Sequence, residues 1–204
     1  MIALAAVTLT MQIARTTLDA LDGVSIELAA HNASAQPVTI TFAHPEEYEI
    51  DVLRGSTVIW STLRPMQPGA TFPPHKRTIP PGPSVLVVYV WNTIENDGTV
   101  PGGGTYTVRA RLLGDGVTPA TQTTIRFAMP TPVSALAKLK AGEEVTIAGR
   151  LDDAKMQLSD STGTIALGRK LPTAPNAPIA VRGYVTLKTD GTRSFYVERW
   201  APIE

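Results

Sequence analysis

The chain has no cysteine among its 204 residues. That absence excludes disulfide bridges, thiol nucleophiles, iron–sulfur clusters and thiolate zinc sites. An excess of charge of one sign is missing too: Lys plus Arg and Asp plus Glu number 18 each. The balance holds along the chain, with 8 basic and 10 acidic side chains in residues 1–129 and 10 and 8 in residues 130–204. Neither part offers the basic field that a polyanion or an anionic membrane surface requires. No apolar run approaches the ~20 residues needed to span a bilayer. The apolar start, residues 1–7, lacks a basic flank and is short for a signal core, so it reads as an N-terminal strand; the tail of a signal peptide is the alternative. Helical periodicity is nearly absent, residues 133–139 being the one fragment that shows it.

What is present is strand alternation, punctuated by glycine and proline. Residues 7–14, 24–30 and 38–42 alternate apolar with polar, and a turn at Asn32-Ala33-Ser34-Ala35-Gln36-Pro37 links the last two as a hairpin. Residues 48–53 and 57–61 follow around Arg54-Gly55-Ser56. There Tyr48, Ile50 and Val52 share one face, and Glu49, Asp51 and Leu53 the other. Residues 63–83 are proline-rich, which resists helix and predicts a stiff, extended surface loop. The nearly continuous apolar run Val85-Leu86-Val87-Val88-Tyr89-Val90-Trp91 predicts a central, buried strand. Strands over 105–112 and 121–128 complete about eight in the first 128 residues, the spacing of a β-sandwich. Met129-Pro130-Thr131-Pro132 breaks the pattern. Five further strands, at 144–151, 155–159, 164–167, 179–187 and 194–200, predict a small Greek-key barrel.

Several pieces carry a family resemblance. Val24-Ser25-Ile26-Glu27-Leu28 with the Asn32 turn, Tyr48-Glu49-Ile50-Asp51-Val52, Val58-Ile59-Trp60-Ser61, Phe72, Ile79-Pro80-Pro81-Gly82-Pro83, Trp91 and Gly104-Thr105-Tyr106-Thr107-Val108 occur in an order that resembles the BsuPI family of bacterial domains. That resemblance implies an immunoglobulin-like sandwich, and the family's name implies proteinase inhibition. Residues 133–201 resemble an OB-fold. The matching pieces are a first strand ending at Gly149, the hairpin Leu158-Ser159-Asp160-Ser161-Thr162-Gly163-Thr164-Ile165, and a fourth strand Val181-Arg182-Gly183-Tyr184-Val185. Pro172, Pro175 and Pro178 stand where nucleic-acid-binding members carry a helix.

Chemistry-bearing side chains are few. His31, His44 and His75 are the only imidazoles, and a copper or zinc site would need them to converge. No His-x-His pair occurs, and the 24–42 hairpin would hold His31 and His44 about 20 Å apart at ~3.3 Å per residue. His75 with Ser56 or Ser61 lacks the Gly-x-Ser-x-Gly setting of a hydrolase. Glu46-Glu47 and Asp152-Asp153 read as solvated turn charges, and Gly102-Gly103-Gly104 precedes a strand without the Lys-Ser/Thr of a phosphate loop. Tyr184, Phe195, Tyr196 and Trp200, near Arg182, Lys188, Arg193 and Arg199, are the residues that would stack and neutralise a single strand. Phe195 and Tyr196 are adjacent and must point oppositely, so one outward ring is no platform and nucleic acid is disfavoured.

These observations predict an all-β chain: an immunoglobulin-like sandwich over 1–129, then an OB-like barrel over 130–204. The expected function is a non-enzymatic protein–protein interaction module of the bacterial cell envelope, extracytoplasmic, without a cofactor. Its partner would be a proteinase or an envelope assembly. The expected contact element is the proline-rich stretch, through Arg64, Met66, Phe72, His75, Lys76 and Arg77. Arg64-Pro65 is poorly cleavable by a trypsin-like enzyme, whereas Lys76-Arg77-Thr78 is cleavable. The alternatives are a copper-binding, superoxide-dismutase-like enzyme using His31, His44 and His75, and an oligonucleotide-binding barrel.

Overall fold

The computed structural model describes residues 6–63, 71–116, 119–172 and 176–203. It is all-β, with fifteen strands and one short 3-10 helix, Val133–Lys138, among those residues. Contacts divide the chain into two compact units. The first comprises Met1–Thr16, Val24–Trp91 and Thr105–Ile125; the second comprises Thr17–Gly23, Asn92–Gly104 and Arg126–Glu204.

In the first unit, β1 (Val7–Ile13), β3 (Val24–Asn32) and β8 (Gly82–Trp91) form a three-stranded antiparallel sheet in the order β1-β3-β8. Strand β3 shows why alternation works: Val24, Ile26, Leu28 and Ala30 are buried, and His31 is exposed. Burying a Leu or Ile in this way contributes about 1.5–3 kcal/mol. Four strands of a second, five-stranded sheet run in the order β10 (Ala120–Phe127), β9 (Gly104–Leu112), β5 (Tyr48–Arg54), β6 (Thr57–Ser61). It buries Ile50, Val52, Val108 and Ala110 on its inner face. Trp60 and Trp91 meet in that core with ring centroids 5.4 Å apart.

The outer face of β5 departs from the solvated face that alternation predicts. Glu49 and Asp51 are buried, and each is covered by its cross-strand neighbour on β9: Arg111 pairs with Glu49, and the Arg109 Nη2 lies 2.6 Å from Asp51. A further expectation needs correction. Strands β3 and β4 (Val38–Phe42) do not pair as a hairpin; β4 pairs instead with β7 (His75–Ile79). The break is made by Asn32, whose side-chain amide donates to the Gln36 and Ile79 carbonyls while its Oδ1 accepts from Ser34.

In the second unit, five antiparallel strands form one sheet in the order β13 (Gly163–Ala166), β12 (Gln157–Asp160), β11 (Glu144–Asp152), β14 (Pro178–Leu187), β15 (Arg193–Pro202). Its two edges meet through a single parallel bridge, Leu167 to Phe195. The barrel read from sequence is therefore not closed: β13, four residues long, is too short to ladder along the ten of β15. Ile147, Leu158, Val181, Val185 and Phe195 fill the inner face together with Val133 and Leu136 of the 3-10 helix. The hairpin motif has a local cause. Asp160 Oδ1 accepts from the Thr162 and Gly163 N–H groups, and Oδ2 accepts from the Val133 N–H at 2.8 Å.

The far face of β14 and β15 carries a second small core, in which Leu21 and Val100 join Ala180 and Ala201. Segment Thr17–Gly23, with β2 (Thr17–Leu18), is fastened there by Thr146 Oγ1 donating to Ala20 and by Arg199 donating to Leu21. Arg182 stands among Asp19, Asp22 and Glu144 at 3.1–3.6 Å.

Candidate interaction surface

The proline-rich stretch is less of a loop than its composition predicts. Residues 75–79 are β7, registered against β4 with Phe42 opposite His75 and Ile40 opposite Arg77. The imidazole of His75 stacks on Phe42 at 5.3 Å, and its Nε2 lies 3.4 Å from Glu47. Arg77 donates to the other oxygen of Glu47. Glu47 is thus a clasp between the β4–β7 pair and the start of β5, not a solvated turn charge. Beside it, burial, and behind burial the carboxylates of Glu46 and Glu47, push the Tyr48 phenol above its ordinary value. Lys76 and Phe72 are exposed. Arg64 and Met66 lie outside the described residues, as do residues 1–5 at the apolar start.

The three imidazoles are held in separate settings. His31 is on the outer side of β3, opposite Thr8 and Pro83; His44 accepts from the Glu46 N–H; His75 is taken by Phe42 and Glu47. Among the described residues, no three His, Asp or Glu side chains are grouped to hold a metal. Among the described residues, His75 is engaged by Glu47 and Phe42 and by no serine.

On the second unit, Tyr184 and Tyr196 stack at 5.0 Å, while Phe195 points inward and is fully buried. The nearby arginines are engaged internally: Arg193 donates to the Leu136 and Leu139 carbonyls, Arg199 to Leu21, and Arg182 faces three carboxylates. Stacking rings are present, but cations free to meet phosphates are scarce around them.

Strand β8 is where structure and sequence differ most. Its apolar run predicts a strand flanked on both sides, yet β8 is the edge of its sheet, paired only with β3 among the described residues. Val85, Val88 and Val90 point away from the core at 56%, 57% and 67% exposure. No residue from Gly82 to Trp91 is charged. Edge strands are ordinarily protected by lysine, a bend or a covering element. Here Leu86 forms a bulge opposite the Leu28–Ala29 step, and the straight part beyond it, Val87–Val90, carries no lysine and no second strand partner among the described residues.

Fold and surface together define an all-β protein that presents an apolar strand edge. No family model matches the chain. No curated protein matches it either. Among solved structures it is similar to the β-glucosidase EmGH1 of Erythrobacter marinus, at 15% identity and a TM-score of 0.35 over 60% of this chain. The chain spans 15% of that enzyme's length. It is also similar to Spo0M, a sporulation control protein of Bacillus subtilis, at 9% identity and a TM-score of 0.39, over 90% of this chain and 76% of that one. Likenesses this distant carry neither fold detail nor activity. Among the described residues, no helix is long and apolar enough to cross a membrane.

Proposed function

We propose that this chain is a non-enzymatic protein–protein interaction module of the bacterial cell envelope that engages its partner along the β8 edge. One observation carries the reading: an uncharged strand with three exposed valines lies at a sheet edge that no other strand pairs among the described residues. Such an edge offers a row of main-chain donors and acceptors, and the valines supply apolar area beside it. The envelope setting rests on the Thr- and Pro-rich β composition. The BsuPI-type and OB-type assignments remain part of the proposal, the latter supported by the strand order and the Leu167–Phe195 bridge.

Proteinase inhibition, the sharper form of this reading, draws support from the resemblance and from exposed Lys76. A substrate-like loop must release its basic side chain into the enzyme's pocket, and Arg77 is tied to Glu47 in a paired strand. Capture from an envelope fraction, followed by chemical cross-linking, tests the module. Wild type is expected to retain a defined partner, with cross-links near residues 85–91, and Val88→Lys to lose it. Capture unchanged by Val88→Lys refutes the edge as the contact surface.

A further inference from the structure

We propose that the occupant of the β8 edge is a second copy of this chain, paired antiparallel about a twofold axis at Tyr89. The inference rests on the edge reading above and goes further by naming the partner. Three observations carry it.

The first is the open edge itself. Val85–Val90 is an uncharged, apolar run, and among the described residues β8 pairs along one side only, with β3. Pairing β8 with its own copy would join the two three-stranded sheets into one six-stranded sheet and make β8 central.

The second is the usable length. The bulge at Leu86 interrupts the edge on one side, and Thr93, with φ at 57°, turns the chain out of the strand on the other. Between them Val87–Trp91 is straight, and its midpoint is Tyr89. Antiparallel pairing about that midpoint sets Val88 opposite Val90 of the copy, and Val90 opposite Val88. Four valines then form one patch, each cross-strand pair separated by about 4.5–5.5 Å. Tyr89, already packed against Trp60 with ring centroids 5.4 Å apart, meets its own symmetry mate at the axis.

The third is charge. An uncharged edge asks for an uncharged partner, and a twofold contact guarantees one, because both copies use the same patch. Among the described residues, the strands of this sheet carry two ionisable groups on their outer face, Glu27 and His31, both on β3. In the paired sheet the two β3 strands lie three strand spacings apart, about 14 Å. That exceeds the screening length of about 8–10 Å at physiological salt, so like groups facing each other do not oppose assembly. The formal net charge of +0 removes the general repulsion that keeps many monomers apart.

Five residue pairs make a small interface, so the dimer is expected to be weak, with dissociation in the roughly micromolar range or above. Sedimentation equilibrium on the full chain, over a wide concentration range, should show mass rising toward twice the monomer. Val88→Lys and, independently, Val90→Glu should abolish the rise. Val85→Lys, beyond the bulge, should leave it intact. All three side chains face solvent, and thermal melts confirm that the variants fold.

The absence of cysteine permits a register test. Val88→Cys and Val90→Cys chains, oxidised separately, should cross-link poorly, and their mixture should cross-link efficiently. Monomer at every concentration overturns the proposal. Equal disruption by Val85→Lys, or cross-linking of Val88→Cys alone as efficient as the mixture, overturns the Tyr89 axis. A monomeric chain whose capture of another protein is lost with Val88→Lys refutes the second copy and leaves the edge reading standing. A Val88→Lys variant that changes neither association nor capture refutes both.

Discussion

Replacing Gly183 by alanine sets two effects of opposite sign against each other. Adding a methyl group at a strand glycine restricts the unfolded chain, which stabilises by about 0.4–1 kcal/mol when the folded site has room. At Gly183 there is no room. A Cβ there would sit 2.9 Å from the Tyr196 carbonyl carbon and 3.1 Å from Phe195 Cε1, with the Tyr196 oxygen nearer still. Comfortable carbon contacts are about 3.5–4.0 Å, so β15 must retreat by roughly 1 Å. That movement acts on backbone, beside the irregularity at Arg182–Gly183 where β14 and β15 already shift register. Overpacking costs about 1–3 kcal/mol, and each loosened ladder bond about 1 more. The clash therefore wins by about 2–4 kcal/mol. At about 4–8 °C per kcal/mol for a domain near 100 residues, the second unit should melt at least about 8 °C lower. Scanning calorimetry reads this directly. Gly102→Ala is the matched control, because nothing lies within 4 Å of its Cβ position, and it should leave stability unchanged or raise it by up to about 1 kcal/mol. A Gly183→Ala melt within 2 °C or so of wild type would refute the reasoning.

Three further perturbations follow from the same geometry. Asn32→Ala should destabilise the first unit by about 2–4 kcal/mol in denaturant titrations, since it leaves the Gln36 and Ile79 carbonyls and the Ser34 donors without their partner; a loss under 1 kcal/mol would contradict that role. For Asp160, burial alone would raise the carboxyl, but hydrogen bonds from Thr162, Val133 and Gly163 outweigh it and hold the group below its ordinary 3.8. The stability it lends is complete above that value and lost as pH falls through the lower folded one, so Asp160→Asn should flatten the acid limb of the melt-versus-pH curve. An unchanged limb would assign the acid sensitivity elsewhere. Arg182→Met should cost about 1–3 kcal/mol, discounted because Asp19 and Glu144 are half exposed, and should speed proteolysis around residues 17–23. Unaltered cleavage there would mean that the apolar contacts alone hold the segment.

Alternation read most of the strands to within a residue or two, because a sheet with one buried face writes its period into the chain. Residues 38–42 and 57–61 are β4 and β6 as expected. Strand β7 escaped because prolines flank it and His75, Lys76 and Arg77 carry no apolar alternation; its signal lies in its partner β4. The buried Asp51 and Glu49 were invisible for a related reason: their burial is supplied by Arg109 and Arg111, some 60 residues away. Position within a sheet was not legible at all. Val85–Trp91 reads as central, since composition reports what a strand's faces tolerate and not how many neighbours it has. The interaction candidates in the proline-rich stretch were drawn from stiffness and exposure. Structure instead engages two of them, His75 and Arg77, with Glu47, and the apolar edge emerges only once strand order is known.

The second unit gathers its pieces from three places in the chain, and this has a consequence for how it comes to exist. Arg199 reaches the carbonyl of Leu21 across a sequence separation of 178 residues. During synthesis, Leu21 and Val100 leave the ribosome long before Ala180 and Ala201, against which they will be buried. Non-local pairing of this kind is slow, because loop closure must precede the contacts that reward it. Early in its life the chain therefore carries apolar segments awaiting residues not yet translated. A nascent chain stalled near residue 150 should expose them to chaperones and proteases in a way that the finished protein does not.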